Sequence, residues 1–116
     1  MRIVKRAEFL QMPAGTVYTT YEPCNFGDLM IKGETLHTDN NGDFCEQSIV
    51  GAIDSTGSDD WTNKLFRSQE TGESLAMDFD CQGRDGLFDS MDSLYAVWER
   101  ADVEALIARL QATLTG

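Results

Sequence analysis

Apolar residues change their spacing several times along this chain, and each change marks an element. Ile3, Ala7 and Leu10 recur at helical intervals, so the segment from Arg2 to Met12 is expected to be a helix. Pro13 stops it and Ala14-Gly15 turns the chain. Thr16 to Tyr21 is rich in β-branched and aromatic residues and reads as a strand. Pro23 to Gly27 is a turn, and Asp28 to Leu36 is a second strand. The polar run Thr38 to Asp43 contains Asn41-Gly42, a step that favours a tight turn. Phe44 to Ile53 follows as a third strand. Three neighbouring strands with short connections favour an antiparallel meander.

The second half begins with a loop, Asp54 to Asp60, in which Ser58 or Asp59 can cap a helix running from about Asp60 to Gln69. Trp61, Leu65 and Phe66 form its apolar stripe, and Thr71-Gly72 ends it. Leu75 to Asp80 reads as a fourth strand, with a loop from Cys81 to Asp92 after it. Leu94 to Glu99 reads as a fifth strand, with a helix beginning near Ser90 as the alternative. Val103, Leu106, Ile107, Leu110 and Leu114 then recur at three- and four-residue spacing. That is an amphipathic helix expected to dock on the sheet. The pattern predicts one α+β domain over residues 1–116, with a mainly antiparallel sheet of about five strands and two to three helices packed on one face.

Composition sharpens the functional side of this picture. The chain has 116 residues, enough for one core, and 41% of them are hydrophobic, too many for a disordered chain. Nine Lys and Arg stand against twenty Asp and Glu, for a net charge of −11. Such a field repels nucleic acid and anionic membrane, so direct binding to either is not expected. It attracts basic surfaces. Cys24, Cys45 and Cys81 are odd in number and widely spaced, unlike a disulfide framework. No apolar run follows Met1–Arg6 and no stretch is long enough to span a membrane, so a cytoplasmic protein with free thiols is expected.

Several motifs invite a chemical reading. Residues 78–89 place Asp78, Asp80, Gly83 and Asp89 at positions 1, 3, 6 and 12 of a calcium loop. Gln82 and Asp85 break that pattern, Asp89 is shorter than the usual Glu, and the flanks read as strands. A solvated acidic turn is the better account. Asp54 to Asp60 lacks the Lys of a phosphate-binding loop, and capping explains it. His37 is the single histidine, near Cys45 in sequence, but nothing marks an oxyanion hole. One His and three scattered Cys do not suit zinc. Twenty acids always contain some close pair, yet none is singled out as a hydrolase pair. No catalytic residue, metal ligand or cofactor site is therefore assigned, and a binding role is expected over an enzymatic one.

The distribution of acids says more. Eight lie between Asp28 and Asp60, with Lys32 as the base among them, and seven between Glu70 and Asp92, against Arg84. The first 27 residues are slightly basic by contrast. If Asp39, Asp43, Asp54, Asp59, Asp60, Asp78, Asp80, Asp85 and Asp89 share a face, they offer carboxylates in place of nucleic-acid phosphates to a basic protein. The alternatives are an inert solvated face, a homo-oligomeric binding or assembly module, and a small carboxylate- or metal-dependent hydrolase. A homodimer could form through a sheet edge or the Trp61 and Trp98 surfaces.

The segment Glu8-Phe9-Leu10-Gln11-Met12-Pro13-Ala14-Gly15-Thr16-Val17-Tyr18, with Phe26-Gly27-Asp28-Leu29-Met30-Ile31-Lys32-Gly33 after it, resembles the opening of small accessory proteins of tailed phages and prophages. Leu94-Tyr95-Ala96-Val97-Trp98-Glu99-Arg100 extends the likeness toward the last helix. The resemblance implies a bacterial cytoplasm and an accessory role against a host system, and it transfers no catalytic residue. The expected function is to bind a basic site on a host nucleic-acid-binding protein or defence complex and block it.

Overall fold

Tyr18 and Tyr95 sit on neighbouring strands with side chains alternating between the two faces, so both rings point to one face of a sheet and gather the core there. The computed structural model describes residues 1–36, 43–80 and 92–115. In chain order its elements are β1 (Arg2–Lys5), α1 (Arg6–Leu10), β2 (Val17–Glu22), β3 (Asn25–Thr35), β4 (Phe44–Ser48), β5 (Ala52–Ile53), α2 (Ser58–Thr71), β6 (Met77–Asp78), β7 (Leu94–Val97) and α3 (Arg100–Thr115). Five strands form one antiparallel sheet in the order β1-β7-β2-β3-β4, and β5 pairs with β6 separately. The α+β class, the five-stranded antiparallel sheet and the β2-β3-β4 meander are those the sequence pattern predicts.

The register places Tyr18 opposite Val97 and Met30, and Tyr95 opposite Val4 and Thr20, so these residues share a face. Helix α1 covers it with Phe9, whose ring stacks on Tyr95 at 4.0 Å and meets Tyr18 edge-on at 4.6 Å and Phe44 at 5.1 Å. Each such ring pair adds about 0.5–1.5 kcal/mol beyond burial. Val4, Leu10 and Val97 complete the cluster.

Polar groups enter this core, and Arg6, Tyr18 and Lys32 are tied there. Arg6 donates from Nη1 to the Tyr95 hydroxyl at 2.5 Å, with its guanidinium carbon 5.7 Å from the Phe44 ring centre. Tyr18 donates its hydroxyl proton to Glu46. The buried Lys32 amine donates to Thr35 Oγ1 at 2.6 Å and to the Gly33 carbonyl at 3.0 Å, and Thr35 donates to the Leu10 carbonyl at 2.7 Å. Buried charge is tolerated only with such partners. The chain from Lys32 through Thr35 also fixes the end of α1 to β3.

Four differences from the sequence reading have physical causes. Arg2–Lys5 is a strand, because it is claimed by β7, some ninety residues away, in the register Arg2 to Val97. The segment Phe44 to Ile53 is broken: Gly51 turns in the left-handed region at φ 65°, so β4 and β5 join different sheets. The expected strand Leu75 to Asp80 shrinks to Met77–Asp78 because β5 offers two residues to pair with. Finally, α1 buries Arg6, Phe9 and Leu10, whereas α2 and α3 have no buried residue. The expected cover of the α3 stripe is partial: Val103 and Leu106 are half-buried, and Ile107, Leu110 and Leu114 are exposed. The radius of gyration reflects this: it is 16.6 Å, against about 13.4 Å for a compact domain of this length.

Candidate protein-binding lobe

Where β4 ends, the chain leaves the main sheet and builds a small lobe from β5, α2 and β6. The exit is a turn in which the Gly51 amide donates to the Ser48 carbonyl at 3.1 Å. A side chain at position 51 would place its Cβ 2.4 Å from the Asp78 carbonyl oxygen, so the approach of β5 to β6 needs glycine. The Asp54 amide extends the pairing by donating to the Ala76 carbonyl at 2.8 Å. Gln47 of β4 donates to the Phe79 carbonyl and ties the lobe to the main sheet.

Helix α2 starts without the side-chain cap the sequence suggests at Ser58 or Asp59. Gly57 occupies the cap position, and Asp60 instead reaches back to accept the Thr56 amide at 3.0 Å. Lys64 pairs with Asp60 at 3.3 Å and donates to the Asp54 carbonyl at 2.7 Å. The Thr56 amide, and then Lys64, hold the Asp60 carboxyl below its usual range. Asp59 and Asp60 in the first turn also suit the helix dipole. The helix closes as predicted, on left-handed Gly72, whose amide donates to the Ser68 carbonyl at 2.8 Å.

Five of the nine acids singled out from sequence fall on β5, α2, β6 and the turns that flank them. Asp54, Asp59 and Asp80 are exposed on this lobe, with Asp60 and Asp78 half-buried beside them. The Asp80 amide donates to Asp78 Oδ1 at 2.9 Å, which fixes the turn after β6. Asp43 does not belong to the set. It is buried next to β4, at the aromatic core, and cannot present its carboxylate to a partner. Asp39, Asp85 and Asp89 lie outside the described residues, as do most of the calcium-like loop, His37 and Cys81. Among the described residues no three His, Cys, Asp or Glu side chains come close enough to hold a metal ion. Cys24 and Cys45 are both free thiols, one exposed and one half-buried.

Charge divides along the same line. Residues 50–80 carry seven acids and two bases, whereas residues 1–36 carry four of each. Both lobe bases are engaged within the lobe, Lys64 by Asp60 and Arg67 by Glu73 at 2.6 Å. Asp54, Asp59 and Asp80 make no ion pair among the described residues, so their charge faces outward.

The acid pattern alone misses a second component. Phe66 is 58% exposed and Phe79 63%, and Val50, Trp61 and Met77 are exposed on the same lobe. Sequence reasoning assigns Trp61 and Phe66 to a stripe that α2 buries. Sequence holds no signal for this, because the strands it predicts here, 44–53 and 75–80, are long, whereas the two-residue β5 and β6 cannot cover a fourteen-residue helix. Exposed apolar side chains and exposed carboxylates on one lobe are the composition of a contact surface.

Lys32 offers a different chemistry, an amine whose proton affinity is lowered by desolvation against the pull of Glu34 and Cys45. A depressed lysine can act as a nucleophile. This one is sealed behind Phe9, 5.9 Å from its ring centre, and bonded to Thr35, so it serves the core. No protein-family model matches this chain, and no curated protein or solved structure does either.

Proposed function

We propose that this chain is a non-enzymatic accessory protein of a tailed phage or prophage, working in the bacterial cytoplasm. Its β5–α2–β6 lobe docks on a basic, nucleic-acid-binding site of a host protein or defence complex and blocks it. The observation that carries the reading is the lobe surface: exposed Trp61, Phe66 and Phe79 on the same lobe as the Asp54, Asp59 and Asp80 carboxylates, which make no ion pair among the described residues. The aromatics supply apolar anchoring area. The carboxylates steer the encounter and meet Lys and Arg side chains that otherwise contact phosphates. No described helix is long and apolar enough to cross a membrane.

The test is a tagged pull-down from bacterial lysate at low and high salt, with mass spectrometry of what is retained. The expected catch is one basic nucleic-acid-binding protein, released as salt rises past a few tenths molar because surface charge is screened. Purified, that protein should lose its nucleic acid to the wild-type chain but not to the triple variant Asp54→Lys, Asp59→Lys, Asp80→Lys. Binding that ignores both salt and charge reversal would sink the mechanism.

A further inference from the structure

The face of the main sheet turned away from the aromatic core meets α3 and leaves a cleft. Tyr18 points into the core, so Thr19, the next residue of β2, points the other way, level with Leu29 of β3 and Ala96 of β7. Thr19, Phe26, Leu29 and Trp98 line the cleft from the sheet side, and Leu106 and Arg109 line it from α3. Its volume is about 840 Å³, within the range of about 300–1,000 Å³ usual for small-molecule sites.

Two donors in this largely apolar setting are left over. Thr19 is 6% exposed, and its Oγ1 has no hydrogen-bond partner among the described residues. A buried hydroxyl in that state is costly, and native structures carry few of them. Arg109 makes no ion pair and no side-chain hydrogen bond among the described residues. The other charges of the cleft cancel, because the Met1 amine pairs with Asp102 at 2.5 Å. The cleft therefore holds a surplus positive charge inside a chain whose net charge is −11.

From this we infer that the cleft between α3 and the sheet binds a small amphipathic carboxylate, a hydrocarbon or aromatic body ending in one carboxyl group. The body buries against Phe26, Leu29 and Leu106. The carboxylate accepts from the Thr19 hydroxyl and the Arg109 guanidinium, so one group satisfies both donors. A purely apolar occupant would leave both unpaired, and a cation would meet Arg109 as a like charge. The site does not depend on what the lobe docks on, since no described residue of the lobe lines it.

Trp98 fluorescence tests this in a Trp61→Phe background, which leaves Trp98 as the single tryptophan. The probes are decanoate, decanol and decyltrimethylammonium, each kept below micelle formation. Decanoate should change Trp98 emission saturably and bind at least about 10-fold tighter than the other two, although the net charge of the chain favours the cation. Arg109→Gln should weaken decanoate by about 10-fold or more and leave decanol unchanged. Thr19→Val should also weaken decanoate by about 10-fold, while the thermal midpoint of the free protein stays level or rises, because an unpaired hydroxyl gives way to a methyl of the same shape. No saturable response to decanoate overturns the inference, as does decanol or the cation binding equally well. An Arg109→Gln variant that holds decanoate like the wild type overturns it too. A midpoint that falls in Thr19→Val would show the hydroxyl already engaged by the fold and overturn its role in the site.

Discussion

The main sheet with α1 and the lobe with α2 bury their apolar residues in opposite measure. In the sheet, Phe9, Tyr18, Phe44 and Tyr95 are sealed from solvent and stacked on one another, and even Arg6 and Lys32 are drawn inside. In the lobe, Trp61 and Phe66 sit on a helix with no buried residue, held by short-range ties from Lys64, Asp60 and Arg67. The contrast follows from how much sheet each helix is given. Helix α1 is five residues long and lies on a five-stranded sheet, whereas fourteen-residue α2 is flanked by a pair of two-residue strands. Stability therefore belongs to the sheet, and surface recognition is the role proposed for the lobe. The comparison can be broken by showing that the lobe stabilises the chain, or sharpened by uncoupling the two.

The largest effect is expected at Phe9. Its ring touches all three other core aromatics, so Phe9→Ala should cost about 3–5 kcal/mol. Urea unfolding followed by far-ultraviolet dichroism measures this. A loss below 1 kcal/mol would mean that the aromatic cluster is not the source of stability.

Gly51→Ala comes next. It forces a side chain into a left-handed conformation and against the Asp78 carbonyl, at a cost of about 1–3 kcal/mol. The damage should be local. Hydrogen exchange at the Asp54 amide, which bonds Ala76 across the lobe, should accelerate while amides of β2 and β7 keep their protection. Uniform acceleration everywhere would show that lobe and sheet unfold as one unit.

The pH dependence separates the two regions by pH range. Lys32, in the sheet core, has a folded-state proton affinity lowered from the ordinary 10.5 by burial. The unfolded chain binds the extra proton, so stability should rise with pH between the lowered value and 10.5 and be least below that window. Lys32→Met should flatten this slope. Asp60, in the lobe, gives a slope of the same sign in the acid range. Its carboxyl is lowered from 3.8, so its contribution is present above 3.8 and is lost as pH falls through the folded value. Urea midpoints against pH for wild type and Lys32→Met check the alkaline limb, and carboxyl titration by nuclear magnetic resonance checks the acid one. An unchanged alkaline slope in Lys32→Met would remove Lys32 from the account.

Much of this architecture is legible in the sequence, and the failures share a cause. The β-branched and aromatic run of β2, the Leu94-to-Val97 strand, the Gly72 stop and the three- and four-residue apolar spacing of α3 are local signals, and each corresponds to an element of the right type. What fails is what depends on distant partners. Ile3, Ala7 and Leu10 are spaced as a helix, but Arg2–Lys5 pairs with a strand near the far end of the chain. The acids of the lobe are legible as a set, yet Asp43 looks like the others until Phe44 and the core bury it. Apolar stripes on α2 and α3 show which face seeks cover, and sequence alone does not say whether the same chain supplies it.

The smallest effect on stability is the most pointed test of the comparison. Phe66→Ala removes a large apolar side chain, which in a core costs about 3–5 kcal/mol. Here the ring is more than half exposed on a helix that buries nothing, so the change should stay within about 0.5 kcal/mol, as at ordinary surface positions. Trp61→Ala should behave similarly. The same two changes should abolish retention of the basic partner, because an exposed aromatic that does not hold up its own fold is available to anchor another. Retention without loss would remove the aromatics from the contact surface. A stability loss near that of Phe9→Ala would place Phe66 in a core and erase the difference between lobe and sheet.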